Sequence, residues 1–477
     1  MRHAVIVAIL IAGLVTLVSG KIITIPYYYD EADYMFAASL GCYANWIDAG
    51  SMPISNFIRI GLNRGTDSSQ RAALSQLARS STDPVVYRHW HGPLYYYWLA
   101  ALSKARLHER TVRSLSLTFP VLTVIILYFS TLWIVPAAAA QPAAILSSAL
   151  FLWNQMTVRT TEVVPHMLFV LCYVPALLLL AKYVSDGRRR YWYGAVVFTG
   201  LAFCTLEVAF VLVATLLVCA YLYRKKLQVD WGLARNSALV LLLTILLIWP
   251  AAVVKLSFLK AYLSMAYFAI FRKGAWGDVG FVETWVIRFT NSPLEWVAVA
   301  GSLMVFFATR LWRSLPAAVP LAVYGLFMLV ALLRVNTEGP RYMAPFFPAL
   351  VIFVGWTGGY LLAQIKFPVR WQGYVTVVAV CASLFLITRA QLAGYLLRED
   401  PYPQAMLVAV REGGFETKTL LVPQMYMPTL HYYFPRGTFH PYLELADIPR
   451  LLAAGRFDAV LYPEYPVRLK SPATSAP

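Results

Sequence analysis

Uninterrupted apolar runs, most of them near the ~20 residues a helix needs to cross the hydrocarbon of a bilayer, divide this chain into segments. They lie near residues 4–25, 112–134, 138–154, 162–183, 191–206, 208–223, 237–256, 294–309, 315–333, 343–364 and 373–390. None shows the strict alternation of a lipid-facing barrel strand. The pattern therefore predicts a polytopic α-helical membrane protein of about 11 transmembrane helices. The stretch from Tyr191 to Tyr223 is long for one upright helix and short for two. Splitting it keeps the basic clusters at its two ends on the same side of the membrane.

Three substantial segments separate the runs: residues 26–111, residues 258–293, and the stretch from about 391 to the end. In the first, Asp33 to Asp48 and Ser68 to Ser80 have helical patterning and read as juxtamembrane helices lying on the bilayer surface. Tyr95-Tyr96-Tyr97-Trp98 has the aromatic character of a membrane interface. The last segment changes composition. Lys418 to Pro423 and Phe457 to Tyr462 are strand-like, whereas Met427 to Phe434 and Asp447 to Ala454 are helical. The expected organisation is a membrane module over residues 1–390 and a small C-terminal α/β domain over residues 391–477.

Composition agrees with the pattern. Of 477 residues, 60% are hydrophobic and 13% charged, against roughly half and about a quarter in an average soluble chain. The net charge of +17 does not indicate nucleic acid, because the basic residues sit in short clusters between apolar runs. Arg188-Arg189-Arg190, Arg224-Lys225-Lys226 with Arg235, Arg310 with Arg313, and Lys366 with Arg370 must all face the cytoplasm under the positive-inside rule. The segmentation satisfies this, and Arg2 agrees. Parity then sends residues 26–111, 258–293 and the C-terminal segment outward. The expected location is the cytoplasmic (inner) membrane, with the active region on the periplasmic or extracellular side. Arg2 and the run ending at Val18-Ser19-Gly20 also fit a signal peptide, but apolar residues resume at Ile22 to Ile25 and favour an uncleaved span. Cys42, Cys172, Cys204, Cys219 and Cys381 are scattered without CxxC spacing, which indicates neither a disulfide framework nor a zinc site.

The chemistry concentrates just past the first span, in Pro26-Tyr27-Tyr28-Tyr29-Asp30-Glu31-Ala32-Asp33-Tyr34. A carboxylate at the water boundary can stay charged yet be partly desolvated, as a general base requires. The alternative is that Asp30 and Glu31 cap a helix starting near Asp33. Further along comes His89-Trp90-His91-Gly92-Pro93-Leu94-Tyr95-Tyr96, and then Arg113 leads into the second span.

An acidic pair after the first span, a Pro-Leu-Tyr-Tyr-Trp type segment and Arg113 together resemble the GT-C superfamily of membrane glycosyltransferases. The protein O-mannosyltransferases and the bacterial lipid A aminoarabinose transferase are the relatives it looks most like. Arg341-Tyr342 before Pro345 and Pro348 resembles the family's late basic-Tyr and Pro pattern. Two departures stand out: His91-Gly92 precedes Pro93 where relatives often have a basic residue or proline, and Glu207 stands where they often carry lysine.

The resemblance implies an inverting transferase that uses a polyprenyl-phosphate sugar and acts on a hydroxyl of an exoplasmic acceptor, which may be read as glycan, glycolipid or protein. Such a donor carries its own leaving group, so the enzyme needs a base and a cationic cradle for the phosphate. Asp30 is the expected base, with Glu31 orienting the acceptor or holding a metal. Arg59, Arg64, Arg88, Arg159, Arg272, Lys273 and Arg341 are exoplasmic candidates for the cradle, each of which could equally be a headgroup contact. Arg159 and Glu162 resemble the Arg and acidic residue of the family's second exoplasmic loop. Glu207, His91, Tyr95 and Tyr342 complete the expected substrate contacts. The resemblance fixes no cofactor and leaves room for a divalent metal ion. Glu31, His89 and His91 are the ligands on offer should a divalent metal ion bind. The rival from another class is a lipid or small-solute transporter or flippase, which needs intramembrane charge but no base.

Overall fold

The computed structural model describes residues 2–18, 26–27, 29–39, 91–105, 107–154, 157–158, 163–227, 229–250, 282–283, 285–286, 289, 293–332, 343–365, 370–395, 402–423, 426–442, 444–462 and 469–470. In chain order its helices begin with α1 (Arg2–Val18), α2 (Tyr29–Ser39), α3 (Leu94–Lys104), α4 (Glu109–Ser116), α5 (Thr118–Ile134), α6 (Ala137–Leu152) and α7 (His166–Asp186). There follow α8 (Arg189–Phe203), α9 (Phe210–Leu222), α10 (Trp231–Ile248), α11 (Pro293–Ala308), α12 (Val319–Leu332), α13 (Phe347–Gln364) and α14 (Arg370–Tyr395). The C-terminal part comprises α15 (Tyr402–Glu412), β1 (Thr419–Pro423), α16 (Met427–Tyr433), β2 (Thr438–Tyr442), α17 (Ile448–Ala454), β3 (Ala459–Leu461) and β4 (Leu469–Lys470).

The protein is a mostly helical, multi-pass membrane protein. Among the described residues, five helical segments are long and apolar enough to cross a membrane: Glu109–Ile134, His166–Asp186, Trp231–Ile248, Phe347–Gln364 and Gln372–Leu392. Shorter apolar helices cover Arg2–Val18, Ala137–Leu152, Glu207–Leu222, Trp296–Ala308 and Pro316–Leu332. The Tyr191 to Tyr223 stretch is two helices, α8 and α9, joined by a 3₁₀ turn at Glu207–Ala209.

The chain forms two compact units. The first takes residues Met1–Ile22, Ser114–Val253 and Leu263–Leu397. Its tightest packing is between α6 and α13. Gly355 and Gly359 of α13 lie against the backbone of Ser147 and Ala143 of α6, and a Cβ at Gly355 would come within 2.5 Å of the Ser147 backbone. Small residues four apart let helix backbones approach closely where lipid offers no hydrophobic drive to association. Trp356, fully buried between them in sequence, donates from Nε1 to Thr131 Oγ1 at 3.0 Å. Trp153 ties three helices: its Nε1 donates to the Leu10 carbonyl at 3.1 Å, its ring packs against Phe385, and its carbonyl accepts from the Thr388 hydroxyl. Lys182 lies buried at the end of α7. It donates to the Trp133 carbonyl at 2.9 Å, sits over the Trp133 ring and pairs with Asp186 at 3.2 Å.

The second unit takes Ile23–Arg113, Val254–Tyr262 and Arg398–Pro477. The segment following α1 thus groups with the C-terminal residues, a partition the sequence pattern did not suggest. The C-terminal elements build a four-stranded sheet of order β2-β1-β3-β4, in which β1 pairs parallel with β2 and β3, and β4 is antiparallel to β3. Parallel neighbours need a crossover, here supplied by α16 and α17. Right-handed crossovers are the strong rule, and the chain moves first from β1 to β2 and then back past β1 to β3, so the two helices belong on opposite faces. The two cores agree. Leu420 and Val422 of β1 pack with Met406, Val410 and Leu430 from α15 and α16, while Leu421 packs with Ile448 and Leu451 of α17. The sequence pattern passed over β2. It contains Pro441, which an edge strand tolerates and a central strand does not.

Candidate functional site

Helix α2 starts at Tyr29, earlier than the expected start near Asp33, so Asp30 and Glu31 lie inside its first turn and do not precede it. Glu31, Tyr34, Met35 and Ala38, spaced three and four residues apart, are all buried along one stripe of the helix. That face packs against α3 and α16. The aromatic segment expected at a membrane interface is partly spent on this packing. Tyr95 and Tyr96 are buried, with ring centroids 5.8 and 5.6 Å from that of Tyr34. His91 is half-buried and stacks on the same Tyr34 ring at 6.0 Å.

Glu31 is only 5% exposed and Arg113 3%. Arg113 grips the carboxylate with both arms of its fork, Nε donating to Oε1 at 3.0 Å and Nη2 to Oε2 at 2.6 Å. A buried carboxylate without a partner costs several kcal/mol, and a bidentate guanidinium is the partner whose geometry best satisfies it. The guanidinium also lies over the Tyr27 ring, 5.2 Å from its centroid.

A second set of contacts reaches the same place from the C-terminal sheet. Tyr433, at the end of α16, accepts at its hydroxyl oxygen from the Tyr27 backbone N–H at 2.9 Å and donates to Glu109 Oε1 at 2.6 Å. The other oxygen of Glu109 faces the exposed His108 Nδ1 at 3.4 Å. Tyr432 meets Tyr27 edge-on at 5.4 Å, and His431 stacks on Phe36 of α2 at 5.4 Å. Burial, then the hydrogen bond to Glu109, pushes the Tyr433 hydroxyl above its ordinary range. Burial does the same for Tyr27, with Tyr432 and Glu109 adding to it. Both phenols therefore hold their protons at neutral pH, and Tyr433 remains able to donate.

Of the expected site residues, Glu31 on α2 and His91 and Tyr95 at α3 are brought to one place, with Asp30 in the first turn of α2. Glu207 lies apart in chain position, half-buried in the 3₁₀ turn between α8 and α9. Arg59, Arg64, Arg88, His89, Arg159, Glu162, Arg272, Lys273, Arg341 and Tyr342 lie outside the described residues. Their described neighbours are informative within the first unit. Asn154 and Thr157, next to Arg159, and Ala344, Phe347 and Pro348, next to Arg341 and Tyr342, line one cleft with Met167 and Val351. Tyr324 fixes the rim by donating to the Pro345 carbonyl at 2.9 Å. Among the described residues no three His, Cys, Asp or Glu side chains gather as a metal site. Both oxygens of Glu31 are engaged by Arg113, so Glu31 is poorly suited as a metal ligand.

Comparison with known proteins finds likeness to glycosyltransferases of the GT-C fold. Residues 91–253 match the family model of dolichyl-phosphate-mannose-protein mannosyltransferases. The chain is similar in structure to ArnT from Cupriavidus metallidurans in the apo state, with TM-score 0.61 and 12% identity over 97% of this chain and 93% of that one. It is also similar to the same protein bound to undecaprenyl phosphate, with TM-score 0.57 and 14% identity over 91% and 85%. The archaeal oligosaccharyltransferase AglB from Archaeoglobus fulgidus, in complex with an inhibitory peptide and a dolichol-phosphate, gives TM-score 0.58 and 12% identity over 93% of this chain and 64% of its own. No curated protein sequence matches the chain. The chain thus resembles the protein O-mannosyltransferases and the aminoarabinose transferase in fold.

Three residues to which the sequence reading assigned no role, Glu109, Arg113 and Tyr433, are hydrogen-bonded around the start of α2. A signal for Arg113 was present: a lone arginine at the mouth of an apolar span is costly unless an acid meets it. Nothing in the sequence pointed to Tyr433, which lies 406 positions from the backbone it contacts.

Proposed function

We propose that this protein is a glycosyltransferase that moves a sugar from a polyprenyl-phosphate donor to a hydroxyl of an exoplasmic acceptor, with inversion at the anomeric carbon. The observation that carries the reading is the Glu31–Arg113 pair, which commits one of the two adjacent acids in the first turn of α2. With Glu31 committed to Arg113, the base is Asp30. It deprotonates the acceptor hydroxyl, the oxygen attacks the anomeric carbon, and the carbon–oxygen bond to phosphate breaks to release polyprenyl phosphate. General-base assistance of this kind contributes about 10²–10⁴-fold.

The leaving phosphate needs positive charge. Arg88, Arg159, Arg272, Lys273 and Arg341 are the residues assigned to it, with Glu162, Glu207, His91, Tyr95 and Tyr342 contacting sugar or acceptor. The fold's likeness to proteins whose solved structures hold undecaprenyl phosphate and dolichol-phosphate supports a lipid-phosphate donor. About 11 crossings, with the site on the periplasmic or extracellular face of the cytoplasmic membrane, follow from the apolar runs and the positive-inside rule. No nucleotide sugar is available on that face, which agrees with a lipid-linked donor.

Asp30→Asn tests the reading. The variant should insert normally and lose about 10²–10⁴-fold in sugar transfer from a polyprenyl-phosphate donor; unchanged turnover eliminates Asp30 as the base. Mass spectrometry of cell-envelope glycans and glycolipids, with and without the protein, identifies the acceptor.

A further inference from the structure

We infer that Tyr433 is a positioning residue for the reaction, acting as a hydroxyl relay through which the C-terminal sheet sets the path of the chain into the catalytic helix. The inference rests on the proposed role of Asp30. Tyr27 lies three residues before Asp30 and two before the first residue of α2. Its backbone N–H donates to the Tyr433 hydroxyl.

The relay is directional. Glu109 accepts the hydrogen bond from the Tyr433 hydroxyl at 2.6 Å, which leaves a lone pair of the phenol oxygen for the Tyr27 N–H at 2.9 Å. A carboxylate acceptor makes the O–H bond charge-assisted and polarises the oxygen, so the second bond is stronger than an isolated phenol would give. Glu109 sits one turn before Arg113 on α4, and Arg113 holds Glu31 on α2. The relay and the ion pair are therefore two struts from one helix, which grip the chain at Tyr27 and at Glu31, on either side of Asp30. Tyr432 and His431 add ring contacts to Tyr27 and Phe36 from the same short α16. A base held on both sides is fixed in the geometry that proton abstraction requires, and a shift of about 1 Å in such a group can cost up to about 10²-fold. The C-terminal sheet thereby becomes part of the catalytic apparatus, though none of its residues need touch substrate.

Tyr433→Phe keeps the ring and removes only the hydroxyl. In the full-length protein it should lower kcat about tenfold, leave KM for the lipid-linked donor within about twofold, and leave the thermal transition of the purified protein nearly unmoved. Glu109→Gln should lower kcat in the same way. The double variant should be no worse than the poorer single one, because both changes break one relay. In an Asp30→Asn background Tyr433→Phe should add nothing. A Tyr433→Phe protein with wild-type kcat overturns the relay, as does a loss that multiplies fully with Glu109→Gln. Full turnover by Asp30→Asn alone would instead overturn the assignment of the base, which separates the two failures. Should Tyr433→Phe fail to accumulate in membranes, Glu109→Gln carries the same test.

Discussion

The α6–α13 seam in the first unit and the Glu31–Arg113 pair of the α2 site in the second are both buried, and they are held by opposite means. The seam is made of Gly355, Gly359, Ala143 and Ser147, with backbone against backbone and little side chain between them. The site is made of a buried ion pair and a phenol relay among aromatic rings. The first tolerates no added volume. The second tolerates no lost charge, because each member's burial is acceptable only while its partner is present. Glu31 sits in the second kind of surroundings, where direction is fixed by hydrogen bonds as well as by packing.

Substitutions can break this contrast. The largest effect belongs to Asp30→Asn, with transfer falling about 10²–10⁴-fold in a protein that still inserts. Arg113→Ala comes next. It strands Glu31 in the interior and should destabilise the second unit by about 3–5 kcal/mol, read as a lowered thermal transition in detergent. Replacing the pair together by Glu31→Leu and Arg113→Met should recover much of that stability without recovering turnover; recovered turnover would show that the pair does not position the base. In the seam the sensitivity reverses. Gly359→Leu should cost about 1–3 kcal/mol or prevent assembly, whereas a charge-neutral trimming such as Ser147→Ala should be nearly silent. The smallest effect is expected at Arg189. It pairs with Asp230 at 2.7 Å on the surface, and Arg189→Ala should leave thermal stability and transfer unchanged. A measurable loss there would mean that ion pairs in this protein matter irrespective of burial, and the contrast would fail.

The helices that form the seam were far more legible than the site. Continuous apolar runs gave the positions of α5, α6, α7, α13 and α14 to within a few residues, since a helix that must satisfy its own backbone in lipid has to advertise itself in composition. The break at Glu207 was legible for the same reason: a carboxylate in mid-span would be costly, so the chain turns there. The start of α2 was not. Tyr27-Tyr28-Tyr29 offers no capping signal, and Asp30 and Glu31 were read as preceding the helix although they form its first turn. Tyr95 and Tyr96 looked like interface aromatics because composition does not distinguish a ring facing headgroups from one facing Tyr34.

The sequence by itself determined that this is a membrane protein of many helices, that an acidic pair follows the first of them, and that an α/β pattern closes the chain. These are local properties, written in hydropathy, in spacing and in adjacent residues. Only the tertiary structure decided that one of the two acids, Glu31, is buried against a distant partner. Arg113, 82 positions away, claims Glu31, and Tyr433, 406 positions from Tyr27, anchors the entry to the helix. The reason is physical. A buried charge or phenol is defined by the partner that makes its burial affordable, and chain order does not say which distant residue that partner is.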